Sequence, residues 1–189
     1  MTETPRGRYR RERLLDATAE LVAERGFHRV GIAEIGAAAG VSGAAIYRHF
    51  ATKRDLLVAL IDSVVAELLD GARAAIADAP SARDALLALV DAHVDFALRD
   101  RSIIAVYDQE AHNLPSEDRR RLRRQQRAYT ELWVDVVMVV RPDLSRATAR
   151  AAVHAVFGLL NSVSDHSVRV PRDDLAALLR AMALASFAA

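Results

Sequence analysis

The side chains able to do acid–base chemistry in this chain are few and scattered. They are chiefly His93 with Asp95, Asp108, Glu110 with His112, and Asp165 with His166. Residues one or two apart on a helix point in different directions, so these spacings do not by themselves converge on a reacting atom. None matches a catalytic motif in its expected context, and no glycine-rich phosphate loop is present. Neither an enzyme nor a resident cofactor is expected. With no cysteine, a thiolate metal site and a disulfide framework are both impossible. His93, Glu110 and His112 could meet a metal only from separate helices, a spacing the sequence does not supply, and no metal site is expected.

Another chemistry, contact with phosphates and base edges, has a better basis. Arg6, Arg8, Arg10, Arg11 and Arg13 crowd the beginning of the chain, although the net charge is only +1. A non-specific nucleic-acid coat would need a larger excess. Just downstream runs Ile32–Arg54, IAEIGAAAGVSGAAIYRHFATKR. Ile32 and Ile35 give a first short helix one apolar stripe, and the small residues from Gly36 to Ala39 permit close approach. Gly40 suits the left-handed backbone that ends a helix. Val41 plugs the turn, and Ser42 is a good N-cap for a second helix, Gly43 to Phe50. Ile46 and Phe50 lie on one face of that helix, with Gly43, Ala44 and Tyr47 on another. Two helices joined by a short glycine-containing turn can lay the second in a DNA major groove.

This stretch, with the upstream Glu24–Phe27 (ERGF), resembles the helix-turn-helix of the TetR family of bacterial transcriptional repressors. The Gly-Val-Ser turn, the Ile-Tyr-x-His-Phe end of the recognition helix and the lysine after it carry the likeness together. The resemblance places Ser42, Gly43 and Ala44 near base edges, and Tyr47, His49 and Lys53 on backbone phosphates. Gly31 stands where the family usually has a threonine that caps the helix and touches phosphate, so that contact is lost. Gly43 and Ala44 offer almost no side chain, leaving readout to close approach, thymine-methyl contact and DNA shape. Arg48 is the nearest long donor. Arg8 and Arg10 join this DNA-binding set as arm residues able to reach phosphates or a minor groove.

The elements that must position these residues are helical. The chain has 189 residues, of which 52% are apolar and 27% charged, with little glycine or proline, a pattern that predicts an all-α protein of about nine helices. No apolar run reaches the roughly 18–20 residues that cross a bilayer, and the basic N-terminus is not followed by an apolar signal core. A cytoplasmic protein without membrane contact is expected. Residues 1–52 form an arm and a three-helix DNA-binding domain; residues 53–189 form a larger helical domain for effector binding and dimerisation. Tyr9–Arg25 is the first helix, preceded by a polar arm, Met1–Gly7. From Lys53 to about Ala77, paired leucine, isoleucine and valine residues recur every four positions, predicting one long rod. Later helices run from Ser81 to about Arg99, from Ser102 through His112, from Glu117 to about Val140, onward from Ser145, and from Pro171 to the C-terminal region. The last two are apolar beyond one stripe, as helices that pair with a second copy often are. The resemblance implies the same homodimer, built as a four-helix bundle across a two-fold axis.

Between such helices a mostly apolar pocket with a few polar groups is expected. The candidates that interrupt apolar faces are His93, Tyr107, Gln109, His112, Asn113, Tyr129, Trp133, His154, Asn161 and Asp165. Arg120, Arg124 and Arg127 share one face of a basic stretch, and arginine forks suit a phosphate-bearing ligand. The segment from Val106 to Val137 also resembles, more loosely, actinobacterial family members that govern fatty-acid or steroid breakdown and respond to acyl-CoA thioesters. That likeness implies an apolar tunnel closed by Trp133 and Tyr129, with Arg120 and Arg124 at its mouth. A hydrophobic metabolite or drug without phosphate is the competing effector. The whole reading is a repressor that binds a pseudo-palindromic DNA operator and is released by a hydrophobic effector. Two other classes stay open: an architectural DNA-binding protein with no effector, and a small helical lipid carrier or enzyme.

Overall fold

The computed structural model describes residues 5–111, 113–164 and 170–188. Within them are nine α-helices and no strand. Helix α1 is Pro5–Arg25, α2 Ile32–Ala38, α3 Gly43–Ile46, α4 Lys53–Asp78, α5 Ala82–Arg99, α6 Arg101–Glu110, α7 Ser116–Val140, α8 Arg146–Asn161 and α9 Arg172–Ala188. The expected all-α architecture is the one found. Two boundaries differ from expectation. Helix α1 starts at Pro5, inside the span expected as an arm, because proline at a first helical position lacks only an N–H that would go unpaired anyway. The arm's first four residues lie outside the described ones. The recognition helix is regular only through Ile46; the N–H groups of His49 and Phe50 then share the Ile46 carbonyl at 2.8 and 2.9 Å, which tightens the last turn.

Caps explain most of the remaining ends. Ser42, Ser81 and Ser145 each accept a hydrogen bond from the backbone N–H three residues on, in α3, α5 and α8. Thr52 and Asp55 cap α4 reciprocally, at 3.1 and 2.8 Å. Gly40 turns the chain between α2 and α3 at φ 68°, a conformation that would strain other residues.

Two apolar cores result. The first collects Leu14, Val22, Val30, Ile35 and Ile46 under the helix-turn-helix. It is closed by Leu56, Leu57 and Leu60 of α4, Ile103 and Val106 of α6, and Leu122 of α7. Residues 1–52 therefore do not seal their own core, as befits a unit of that size. The second core lies among α5, α7, α8 and α9, around Leu89, Val94, Trp133, Val137, Val153, Leu160 and Ala183. Helix α4 touches both: its first half belongs to one core and Leu69 and Ala72 to the other. Among the described residues no helix is long and apolar enough to cross a membrane.

Candidate nucleic-acid interface and effector cavity

Helices α2 and α3 meet closely because Gly36 has no side chain; a Cβ there would lie 2.8 Å from the Val41 carbonyl oxygen. That packing buries Ile35 and Ile46 and turns the other faces of the unit outward. Ser42, Ala44, Tyr47, Arg48 and His49 are exposed, Tyr47 to 56%, and Gly43 is half-buried beside them. Ser42 caps α3 through its oxygen, which leaves the hydroxyl proton for an outside acceptor. A cleft of about 460 Å³ runs between α1 and the turn, lined by Tyr9, Arg13, Gly40, Ser42 and Arg48. Arg13 thus shares a surface with Ser42 and Arg48, although the sequence marked it only as one of a basic cluster. Arg8 and Arg10 belong to the backbone of α1, and their side chains fall outside the described residues. Gly31 starts α2 and donates its N–H to Glu34 Oε2 at 2.7 Å, one half of a capping box, while the other half, a side-chain acceptor at the cap position, is missing at a glycine.

Lys53 is placed otherwise than the resemblance implied. Its ammonium donates to the Phe27 carbonyl at 2.5 Å and sits 4.3 Å from the centre of the Phe27 ring. It is half-buried against Phe27, whereas Tyr47 and His49 are exposed. Burial lowers its pKa, opposed by the charges of Glu110 and Glu34.

A cavity of about 300 Å³ lies between α4, α5, α6, α7 and α8. Its apolar wall is Ile61, Val64, Val65 and Leu68 of α4 with Phe96, Ile103, Ile104 and Phe157; its polar groups come from His93, Tyr107, Asp108, Gln126, Tyr129, Thr130, His154 and Asn161. His93 is buried and stacks on Phe157, ring centres 4.7 Å apart and planes within 4°. Asn161 Oδ1 lies 3.1 Å from its Nε2 and the Tyr129 hydroxyl 3.0 Å from its Nδ1. An amide oxygen only accepts, so Nε2 carries the ring proton and Nδ1 accepts from Tyr129. Burial drives the His93 pKa down to about 4, against a smaller upward pull from Asn161, so the ring is neutral near pH 7. Burial likewise pushes the Tyr129 pKa up, keeping the phenol protonated.

The structure brings His93, Tyr107, Tyr129, His154 and Asn161 together at this cavity. Trp133 is fully buried behind it, edge-on to His93 and Phe157, and does not close a tunnel. Gln109 and Asn113 are exposed and off the wall. Arg120 and Arg124 are exposed and line nothing here, because α7 turns Leu122, Gln126, Tyr129 and Trp133 inward and carries those arginines on another side. His112 and Asp165 lie outside the described residues. The arginine of α7 that is tied to another helix is the half-exposed Arg121, whose Nε and Nη2 donate to Asp62 at 3.0 and 2.6 Å, joining α7 to α4. Gln126 and Phe157 were missed; Gln126 sits seven residues before Trp133, the spacing that two turns of one helix face require. Among the described residues no group of three His, Cys, Asp or Glu side chains could hold a metal ion.

A helix-turn-helix exposed at one end thus stands on a helical domain that holds a partly open, mostly apolar cavity. Residues 14–60 match the model for bacterial regulatory proteins of the tetR family, and residues 79–165 match a tetracyclin repressor-like C-terminal domain. The chain belongs to the TetR family of transcriptional regulators. Among its relatives, KstR2 of Rhodococcus jostii, a transcriptional repressor, is 30% identical over 129 residues, 68% of this chain and 63% of KstR2. FasR of Mycolicibacterium smegmatis, a transcriptional activator, is 38% identical over 91 residues, 48% of this chain and 42% of FasR. The chain thus spans between 42% and 63% of the length of these curated relatives. The crystal structure of FadR from Bacillus subtilis in complex with stearoyl-CoA has the same fold, with a TM-score of 0.72 at 18% identity over 93% of this chain and 98% of that one.

Proposed function

We propose that this protein is an effector-released repressor that binds a pseudo-palindromic operator as a homodimer. The observation that carries the reading is the double role of α4. Its N-terminus, beginning at Lys53, is built into the core beneath the helix-turn-helix, while Ile61, Val64, Val65 and Leu68 wall the cavity. A molecule that enlarges the cavity pushes on the rod that carries the head. Operator half-sites are about 34–36 Å apart, so a small pivot of each head breaks the register of a dimer. Such coupling needs an effector preference for one dimer geometry of about 1–3 kcal/mol.

Ser42, Ala44, Tyr47, Arg48 and His49, with Arg13, form the DNA surface in this reading. The residues up to 52 present it, and those from 53 on sense and dimerise. Leu178 and Met182, 54% and 45% exposed on α9, and the exposed small residues Ala151, Ala155 and Gly158 of α8 support a two-fold helix pairing. Acyl-CoA thioesters are the proposed effector class, supported by the apolar cavity and by the stearoyl-CoA complex of the fold relative FadR. An architectural protein without effector would pack its interior; a cavity of about 300 Å³ with polar groups on its wall favours an effector.

The test is binding of the full chain to its own upstream intergenic DNA at fixed salt, with and without acyl-CoA. Release by acyl-CoA and not by free CoA is expected. Specific binding that ignores every acyl-CoA tried rejects the effector class and keeps the regulator.

A further inference from the structure

We propose that the cavity recognises its occupant through one uncharged acceptor oxygen, a carbonyl held by the side-chain amides of Asn161 and Gln126, and that it rejects a free carboxylate. The inference rests on the effector reading above and narrows it to ketones, esters, thioesters or amides on an apolar body.

Hydrogen bonds inside the wall decide which polar groups remain to meet a ligand. His93 is spent, with Asn161 Oδ1 on one nitrogen and the Tyr129 hydroxyl on the other. The Tyr107 hydroxyl donates to Gln126 Oε1 at 3.2 Å, and the Thr130 hydroxyl donates to the Gln126 backbone carbonyl at 3.0 Å. Both side-chain amides therefore use their oxygens on the protein. Among the described residues, Nδ2 of Asn161 and Nε2 of Gln126 close no hydrogen bond. Asn161 and Gln126 both line the cavity, so their N–H₂ groups are donors without acceptors on one apolar wall, and a carbonyl oxygen with two lone pairs is the group that complements them.

Charge argues in the same direction. Among the described residues no lysine or arginine lines the cavity, whereas Asp108 lies at its exposed edge. A ligand carboxylate would lose its water without gaining a counter-ion, beside a like charge. His93 supplies no balancing charge, because burial among aromatic rings disfavours its protonated form. The cavity has about twice the volume of the ~150 Å³ cavity that accepts benzene, which suits roughly ten carbons.

The experiment compares decan-2-one, decanoate and decylamine at pH 7.5 on the full chain, by calorimetry and by the fluorescence of Trp133, the one tryptophan of the chain. The ketone should bind at least about tenfold tighter than the acid or the amine, as one well-made hydrogen bond would give. Asn161→Asp and Gln126→Glu keep the oxygens that face His93 and Tyr107 but remove the free donors, so each should cost the ketone about tenfold without lowering the melting temperature. Equal binding of ketone and acid overturns the inference alone. Tightest binding of the amine also overturns it and passes recognition to Asp108. Ketone binding unchanged in both variants overturns it as well. Failure of all three probes to bind overturns it too, and leaves the effector reading to be decided by release with acyl-CoA.

Discussion

Lys53 grips Phe27 twice, through the backbone carbonyl at 2.5 Å and through the ring face at 4.3 Å. The first residue of the rod is thereby fastened to the segment that follows α1, and the head is clamped to its lever. Removing the amine should loosen this joint. Lys53→Ala is expected to cost about 1–2 kcal/mol, the scale of one charged hydrogen bond with a partly exposed cation–π contact. In a chain of this size that lowers the melting temperature by roughly 3–6 °C. A calorimetric scan showing no change would remove the structural role and restore Lys53 to the phosphate-facing set.

Glycine does two different things in this protein, and alanine separates them. At Gly36 a Cβ meets the Val41 carbonyl oxygen at 2.8 Å, and backbone cannot step aside. Gly36→Ala should destabilise by about 1–3 kcal/mol through overpacking and weaken operator binding. Gly71 is exposed within α4, with nothing within 4 Å of the added atom. Gly71→Ala should stabilise by about 0.5–1 kcal/mol through helix propensity alone. Urea titration of both variants reads the two signs directly.

Acid should unfold this protein partly through His93. Its pKa falls from 6.5 to about 4 on burial, so between those values the unfolded chain binds more protons than the folded one. Stability therefore rises with pH across that window and is lost as pH drops through it, by up to about 3 kcal/mol. Carboxylates add their own loss near pH 4, so the interval from pH 6.5 to 5 is the informative one. Wild type should lose stability there, and His93→Gln should show a flatter slope. Parallel slopes would exclude His93 as the source.

On DNA, the surface residues should sort by what they touch. Arg48→Ala is expected to weaken operator binding and to reduce the slope of log affinity against log salt by about one, as loss of a single phosphate contact does. Tyr47→Ala, losing a side chain 56% exposed, should weaken binding while leaving the salt slope nearly as it was. Fluorescence anisotropy at several salt concentrations measures both. Full affinity in the double variant would mean that the recognition surface lies elsewhere.

The helix-turn-helix was legible in the sequence because its determinants are local. Gly40 must take positive φ, Ser42 must cap, and Ile35 with Ile46 must face inward, all within a dozen or so positions. Thr52 with Asp55 follows an equally local capping pattern. The cavity was half legible. His93, Tyr107, Tyr129, His154 and Asn161 stood out as polar interruptions of apolar faces, and all five line it. Phe157 and Gln126 did not stand out, since an aromatic on an apolar face and a glutamine in a polar stretch each look ordinary. Arg120 and Arg124 fell outside for a geometric reason: each is two residues from Leu122, roughly 160° around the helix from the face that Leu122, Gln126, Tyr129 and Trp133 turn inward. Lys53 depended on competition between a distant phosphate and a nearby carbonyl, which only the folded chain decides.

Lys53 is also the sole lysine among 26 basic residues of its class, the other 25 being arginine. A reagent that modifies side-chain amines therefore has one address in the whole chain, and that address is the joint between head and rod. As an ammonium held against Phe27 it has no lone pair to offer; the amine reacts after it leaves that contact and loses a proton. Acylation at this single site would convert the opening of the clamp into a mass increment, so the protein carries a built-in chemical clock for the motion that separates its two ends.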